Sequence, residues 1–209
     1  MFPVKKIVNV AGIDINIYDV NVGISCSGGT DSSLLTYILL NNTNDHLDLF
    51  VTSTWAFPNR TQKVLEVIKI IEHLTGNSNY SLHVTEVEEN NTDHLNLFVT
   101  PMQMQKDNKI SIVCTGLTAN PSEQLLPNRV GITKRDAVQG RPKPVINENN
   151  FYLPFINIDK RKIYEMYKEL DLLENLFPAT YSCTDSTSLD HCGECWWCAE
   201  RMWGFGKLI

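Results

Sequence analysis

Residues 22–40 read VGISCSGGTDSSLLTYILL, and three kinds of segment follow one another in them. Residues 22–26 form a short apolar run of the kind a buried strand shows. Ser27-Gly28-Gly29-Thr30-Asp31-Ser32-Ser33 then interrupt it with small polar residues. Leu34, Leu35, Ile38 and Leu39 recur at helical spacing, and Asn41-Asn42-Thr43-Asn44 ends that helix. A strand that turns through paired glycines into a helix opens a β-α unit.

The same alternation continues downstream. LDLFVTST (47–54) reads as a strand, and 60–75 as a helix with Val64, Val67, Ile68, Ile71 and Leu74 on one face. Gly76 stands where a helix C-cap belongs. SLHVTEV (81–87) alternates as a strand does, TDHLNLFV (92–99) reads as a short helix stopped before Pro101, and KISIVCTG (109–116) is the clearest central strand. Strands alternating with helices predict a parallel sheet covered on both faces. Upstream, VKKIVNV (4–10) and DINIYDV (14–20) predict a hairpin around Ala11-Gly12-Ile13. Residues 117–150, with Pro121, Pro127, Pro142 and Pro144, read as a long irregular loop. A helix follows at about 159–171, with Asp159 as N-cap and Ile163, Met166, Tyr167 and Leu170 on one face.

The bulk properties narrow the function. The chain has 209 residues, 43% apolar and 20% charged, enough for one domain with a small appendage. A net charge of -6 supplies no global basic field to attract nucleic acid, and leaves a local basic patch open. There is no apolar run of membrane-spanning length and no signal-peptide pattern at the start, so a cytoplasmic protein without a membrane partner is expected.

Two segments carry chemistry. In 27–33, glycines let the backbone approach an anion, and the helix that follows offers unpaired N–H groups and a positive dipole end. Ser27, Ser32 and Ser33 add hydroxyl donors. Asp31 is out of place beside phosphates unless it caps the helix or binds Mg²⁺. The loop has neither the spacing nor the lysine of a Walker A motif. In the tail, Cys183-x8-Cys192-x2-Cys195-x2-Cys198 offers four thiolates, the set that suits a closed, structural Zn²⁺ site; an iron–sulfur cluster and a redox pair are the alternatives. His191 adjoins this set, either as a substitute ligand or as an ordinary surface histidine. Trp196 and Trp197 either stack on a planar ring or pack the knuckle onto the domain. Cys26 reads as a buried strand thiol rather than a nucleophile.

Basic residues gather at two places: Arg129, Lys134, Arg135, Arg141 and Lys143 in the irregular loop, and Lys160, Arg161 and Lys162 in the first turn of the late helix. Cations at a helix N-terminus oppose its dipole, which suggests a bound anion.

Residues 27–32 resemble the Ser-Gly-Gly-x-Asp-Ser signature of PP-loop ATP pyrophosphatases. That resemblance implies an α/β three-layer sandwich with a parallel sheet, of the adenine nucleotide alpha-hydrolase or HUP-like kind, and cleavage of ATP to AMP and pyrophosphate. The tail narrows the likeness. PFINIDKR (154–161), LDLLENLFPATYSC (170–183) and CGECWWCAER (192–201) resemble segments of the 7-cyano-7-deazaguanine synthase family. The resemblance implies a PP-loop domain at 1–175, with the hairpin at 1–20, and a zinc-binding segment at 176–209. It implies ATP contacts from Ser25, Ser27, Gly28, Gly29, Thr30, Asp31, Ser32, Ser33 and Gly116, and catalytic roles for Asp31, Ser32 and Lys160. The implied reaction, in queuosine biosynthesis, is adenylation of a deazapurine-type acid followed by attack of ammonia, with ATP, Mg²⁺ and structural zinc, in a homodimer.

The middle of the chain departs from that family. Phe98-Val99-Thr100-Pro101-Met102 lacks a Gly-Arg-Asn continuation, and Gly116-Leu117-Thr118-Ala119-Asn120-Pro121 replaces an acidic substrate loop. Substrate identity therefore stays open. Another PP-loop enzyme, conjugating a deazaguanine or modifying tRNA, is one alternative. A zinc-containing nucleic-acid-binding module with a vestigial ATP site is the alternative from a different class.

Overall fold

The computed structural model describes residues 2–54, 58–87, 98–119, 121, 145–147, 149–183 and 190–208. Strands β3 (Val22–Ser25), β4 (Leu47–Thr54), β5 (Tyr80–Val87), β6 (Ile112–Cys114), β7 (Val145–Ile146) and β8 (Phe151–Leu153) form one sheet in the order β5-β4-β3-β6-β8-β7. Five strands are parallel, and β7 alone runs antiparallel, against β8 at the edge. The described helices are α1 (Thr30–Asn42), α2 (Pro58–Thr75), α3 (Val99–Lys106), α4 (Lys160–Glu169) and α5 (Trp196–Phe205), with a 3₁₀ turn at Phe177–Ala179.

Alternation along the strands shows how the sheet is sandwiched. Leu49, Val51, Ile112, Cys114 and Tyr152 join the main core with α1, α2 and α4. Their neighbours Phe50, Val113 and Phe151 point the other way, into a smaller cluster with Ile110, Phe98 and Met104 beside α3. This is the three-layer α/β arrangement expected from the sequence.

Helix α1 departs from an amphipathic reading. Thr30, Ser32, Ser33, Thr36 and Leu40 are buried along with Leu34, Leu35, Ile38 and Leu39, because α2 and α4 enclose the side facing away from the sheet. Its small polar residues are interior residues. The short helix also differs: α3 starts at Val99, where the sequence reading ended it, and residues 88–97 lie outside the described residues. Pro101 sits in its first turn, where a missing N–H removes no helical hydrogen bond.

The stretch read as an irregular loop ends in structure. Strands β7 and β8 form a tight hairpin in which Asn147 Oδ1 accepts from the backbone N–H groups of Asn149 and Phe151, and Asn150 adopts φ 57°. Most of 117–150, with the basic residues Arg129 to Lys143, lies outside the described residues.

The N-terminal hairpin, β1 (Val4–Val10) with β2 (Ile13–Tyr18), is a separate two-stranded sheet. It packs Val10, Ile15 and Ile17 into the main core, and the backbone N–H of Asn16 donates to Tyr152 Oη at 2.8 Å. Ala11 N–H donates to Glu169 at the end of α4.

Candidate functional site

The strand order reverses at β3, which has β4 on one side and β6 on the other. In open parallel sheets a crevice forms beyond the carboxyl ends of strands at such a point. Two loops flank it here: Cys26–Gly29 after β3, and Thr115–Thr118 after β6.

The first loop ends at Gly29, which takes the N-cap position of α1 with no side-chain cap. Asp31 therefore does not cap the helix, and no side chain caps the amides of its first turn. Gly28 has φ 74°, and a Cβ there would lie 2.9 Å from Val64 Cγ2, so glycine is required on both counts. Ser25 ends β3, half-buried. Ser27 Oγ and Ser32 Oγ bond each other at 2.9 Å, and Ser27 N–H donates to Ser32 Oγ. Ser33 Oγ is buried without a partner among the described residues.

Gly116 closes the second side. A Cβ on it would stand 2.6 Å from Ser32 N and 2.7 Å from Asp31 C, so its backbone lies directly against the first turn of α1. Two residues on, Thr118 Oγ1 donates to Asp31 Oδ2 at 3.4 Å.

Lys160, the first residue of α4, points into the same place. Its Nζ pairs with Asp31 Oδ2, donates to Thr30 Oγ1 at 3.1 Å and lies 3.9 Å from Glu200 Oε2. Asp159 caps α4 by accepting from the N–H groups of Arg161 and Lys162. The other two cations of this turn have partners away from the crevice: Arg161 stacks over Trp203 at 4.6 Å, and Lys162 pairs with Glu165. The anion inferred from a cationic helix start thus concerns Lys160 alone.

The tail brings its four thiols together. Sγ atoms of Cys183, Cys192, Cys195 and Cys198 all lie within 4.8 Å of one another. Two pairs, Cys192–Cys198 and Cys183–Cys195, stand at 3.9 Å. A tetrahedron with bonds of about 2.3 Å to sulfur has edges of about 3.8 Å. Backbone N–H groups of Cys192, Glu194, Cys195 and Cys198 point at sulfurs of the set, which favours thiolate charge. These four residues can hold a metal, as a single ion or as an iron–sulfur centre. His191 stands apart from the set: its ring packs on Tyr181 at 5.1 Å. Burial first, then Arg201, pulls its pKa down to about 4.

The tail joins the α/β unit through α5, a helix that no periodic pattern marks in the sequence. Arg201, fully buried, donates to Leu208 O, Thr180 Oγ1 and Phe177 O, and lies 4.0 Å over the Phe177 ring. It staples α5 to the segment that leads to Cys183. Tyr181 N–H donates in turn to Gly28 O at 2.8 Å, so the metal-binding segment is tied to the glycine loop itself. Gly204 allows α5 to touch α4: a Cβ there would lie 2.4 Å from Lys160 Cβ.

An uncapped helix behind a Ser-Gly-Gly turn, at the switch point of a parallel sheet, gives this chain its resemblance to the PP-loop ATP pyrophosphatases. Within that class the tail is more specific: residues 143–209 match the model of the family described as Queuosine biosynthesis protein QueC. No curated protein matches the chain. Among solved structures, NMN synthetase from Francisella tularensis is similar over 90% of this chain and 78% of that one, at 14% identity and a TM-score of 0.48. U34-tRNA thiolase NcsA from Methanococcus maripaludis, with its 4Fe-4S cluster, is similar over 90% and 71%, at 13% identity and a TM-score of 0.48. Among the described residues no helix is long and apolar enough to cross a membrane.

Proposed function

We propose that this chain is an ATP-dependent, AMP-forming C–N ligase that activates the carboxylate of a deazapurine-type acid for attack by ammonia, as its resemblance to the QueC family suggests. One observation carries the reading. The open N-terminus of α1 and the buried Lys160–Asp31 pair converge at the strand-order switch point, and the segment fixing Lys160 lies in the part that matches the family model.

The chemistry follows from the groups present. A carboxylate is a poor electrophile because oxide is a poor leaving group. Its oxygen attacks the α-phosphorus of ATP, and pyrophosphate leaves. Ammonia then attacks the acyl carbon and AMP leaves, giving an amide; a second activation and dehydration would give a nitrile. The α1 amides with Ser27, Ser32 and Ser33 would hold the departing pyrophosphate, and Lys160 would neutralise charge that develops on it. Asp31, with the hydroxyls of Thr30 and Thr118 around it, offers the oxygen donors that Mg²⁺ takes. Zinc on the four cysteines would supply folding free energy rather than reactivity, and the 3.9 Å sulfur spacing supports a single tetrahedral ion.

Sulfur-transfer chemistry is less well supported. Transfer through a cysteine persulfide needs a reactive thiol outside the metal set, and Cys26 and Cys114 are both buried, their pKa values pushed up by desolvation. The test is pyrophosphate release from ATP–Mg²⁺ with a panel of deazapurine acids, with and without ammonia. Release that needs both an acid and ATP, and product that needs ammonia, supports the assignment. Salt-sensitive RNA or DNA binding without any pyrophosphate release would replace it with the nucleic-acid-binding reading.

A further inference from the structure

We propose that Ser182, the residue before the first metal-ligating cysteine, is a further phosphate-binding residue, its Oγ donating to the anion held at the N-terminus of α1. The inference rests on the phosphate-site reading above and adds to that site a residue from the metal-binding segment.

Three observations meet here. Ser182 is only 7% exposed, and its Oγ has no hydrogen-bond partner among the described residues. A buried hydroxyl without a partner is disfavoured, so in folded proteins such a group usually awaits a ligand or a water. The hydroxyl is aimed at the loop: a Cβ on Gly29 would lie 3.4 Å from Ser182 Oγ and 3.6 Å from Ser27 Oγ. Gly29 is the uncapped N-cap residue, so Ser182 faces the end of the helix where free amides and the positive dipole coincide. Its position is fixed on both sides. Tyr181 N–H bonds Gly28 O at 2.8 Å, and Cys183 belongs to the thiol cluster.

Two of the loop's own hydroxyls, unlike Ser33 Oγ, already have partners. Ser27 and Ser32 bond each other at 2.9 Å, and Ser32 Oγ also lies 3.3 Å from Gly29 O. Their donors have partners inside the loop. Ser182 brings a donor with none, from a segment 150 residues away in the sequence on the scale of Ser32 to Ser182. Metal binding at Cys183 thereby sets the geometry of a phosphate contact one residue earlier.

The test is isothermal titration of the full chain with inorganic pyrophosphate and with ATP–Mg²⁺, comparing wild type with Ser182→Ala. Metal content and the thermal midpoint without ligand are measured on the same samples. The expected result is a loss of affinity for both ligands of about tenfold or more, as for a hydrogen bond to a charged group. Metal content should be unchanged and the ligand-free midpoint no lower, because the deleted hydroxyl has no partner to lose. Equal affinities in the two proteins would overturn the assignment while leaving the phosphate site standing. A variant that loses metal or ligand-free stability would overturn it in favour of a structural role. A wild type that binds neither ligand would sink the phosphate-site reading, and this inference with it.

Discussion

Lys160 and Asp31 pair across 129 residues of chain, the ammonium at the start of α4 meeting the carboxylate in the first turn of α1, with side chains 6% and 17% exposed. Both helices begin at this contact. A lysine in a first helical turn works against the dipole, so α4 gains nothing locally from it. What holds it there is a pair of carboxylates: Asp31, and Glu200 from the tail, which lies 3.9 Å from the same Nζ. Three parts of the chain distant in sequence thus share one buried charge.

Asp31→Ala should abolish pyrophosphate release and destabilise the fold by about 3 kcal/mol, since removing one partner leaves a buried charge short of compensation. Lys160→Met should cost a similar amount. The double variant should cost clearly less than the sum, because Asp31 and Lys160 no longer leave each other unpaired and only Glu200 loses its cation. Urea denaturation of the four proteins measures the coupling; strict additivity would show that the pair does not interact energetically.

Close backbone contacts make a second, independent test. Gly116→Ala drives a Cβ to within 2.9 Å of backbone atoms of Asp31 and Ser32, so the first turn of α1 must shift. Gly204→Ala meets Lys160 Cβ and backbone, and must displace α4 from α5. Each should cost about 1–3 kcal/mol as an overpacked site, with turnover falling further than stability alone explains. Gly12→Ala is the control: its φ of 78° is strained, but nothing lies within 4 Å, so it should lower stability modestly and leave turnover intact.

Removal of metal should act on the phosphate site as well as on the tail. Cys195→Ser, or a strong chelator, should release the ion and lower the thermal midpoint, because among the described residues the tail has only a small cluster of its own, formed by Tyr181, Cys183 and Cys198 with Leu208 beside them. Arg201→Lys should weaken the same junction: a lysine cannot reach Leu208, Thr180 and Phe177 together. Metal analysis with thermal melts checks both. Full stability of the metal-free chain would remove the structural role.

What the sequence disclosed follows from the range of each interaction. Periodicity and turn residues are local, so β3, α1, β4, α2, β5 and the hairpin could be read directly, as could the glycine loop and the four cysteines. Strand β8 could not: three residues, Phe151–Leu153, are too few to show a period, although they sit inside the sheet. Helix α5 was hidden because Cys195 and Cys198 bind its start to the metal knuckle, and Trp196 and Trp197 gave no amphipathic pattern. Glu200, Thr118 and Ser182 joined the site only through tertiary contacts. The one signal present in the chain was the misplaced lysine, which pointed to an anionic partner without saying that two carboxylates stood there already.

The two cysteines outside the metal set give the last prediction, and it separates ligase from sulfur-transfer chemistry. Burial raises the Cys26 pKa from its ordinary 9.0 to about 12, with the Thr36 hydroxyl pulling the other way. Cys114 is raised as well, by burial alone. Both thiols stay protonated in the folded chain above pH 9, whereas the unfolded chain loses those protons. The folded state then binds more protons than the unfolded one, so stability must fall as pH rises. The contribution is fully present below pH 9 and is lost between pH 9 and about 12 for Cys26, at up to about 1.4 kcal/mol per pH unit for each thiol. Urea midpoints at pH 8, 9 and 10 should show that decline, and Cys26→Ala should make it shallower, leaving the Cys114 share, while lowering overall stability by the volume it removes. At pH 8 the native chain should resist alkylation at both positions, and Cys26→Ala should retain pyrophosphate release. A folded Cys26→Ala variant without turnover would mean that the thiol takes part in the chemistry, and the ligase assignment would then give way to sulfur transfer.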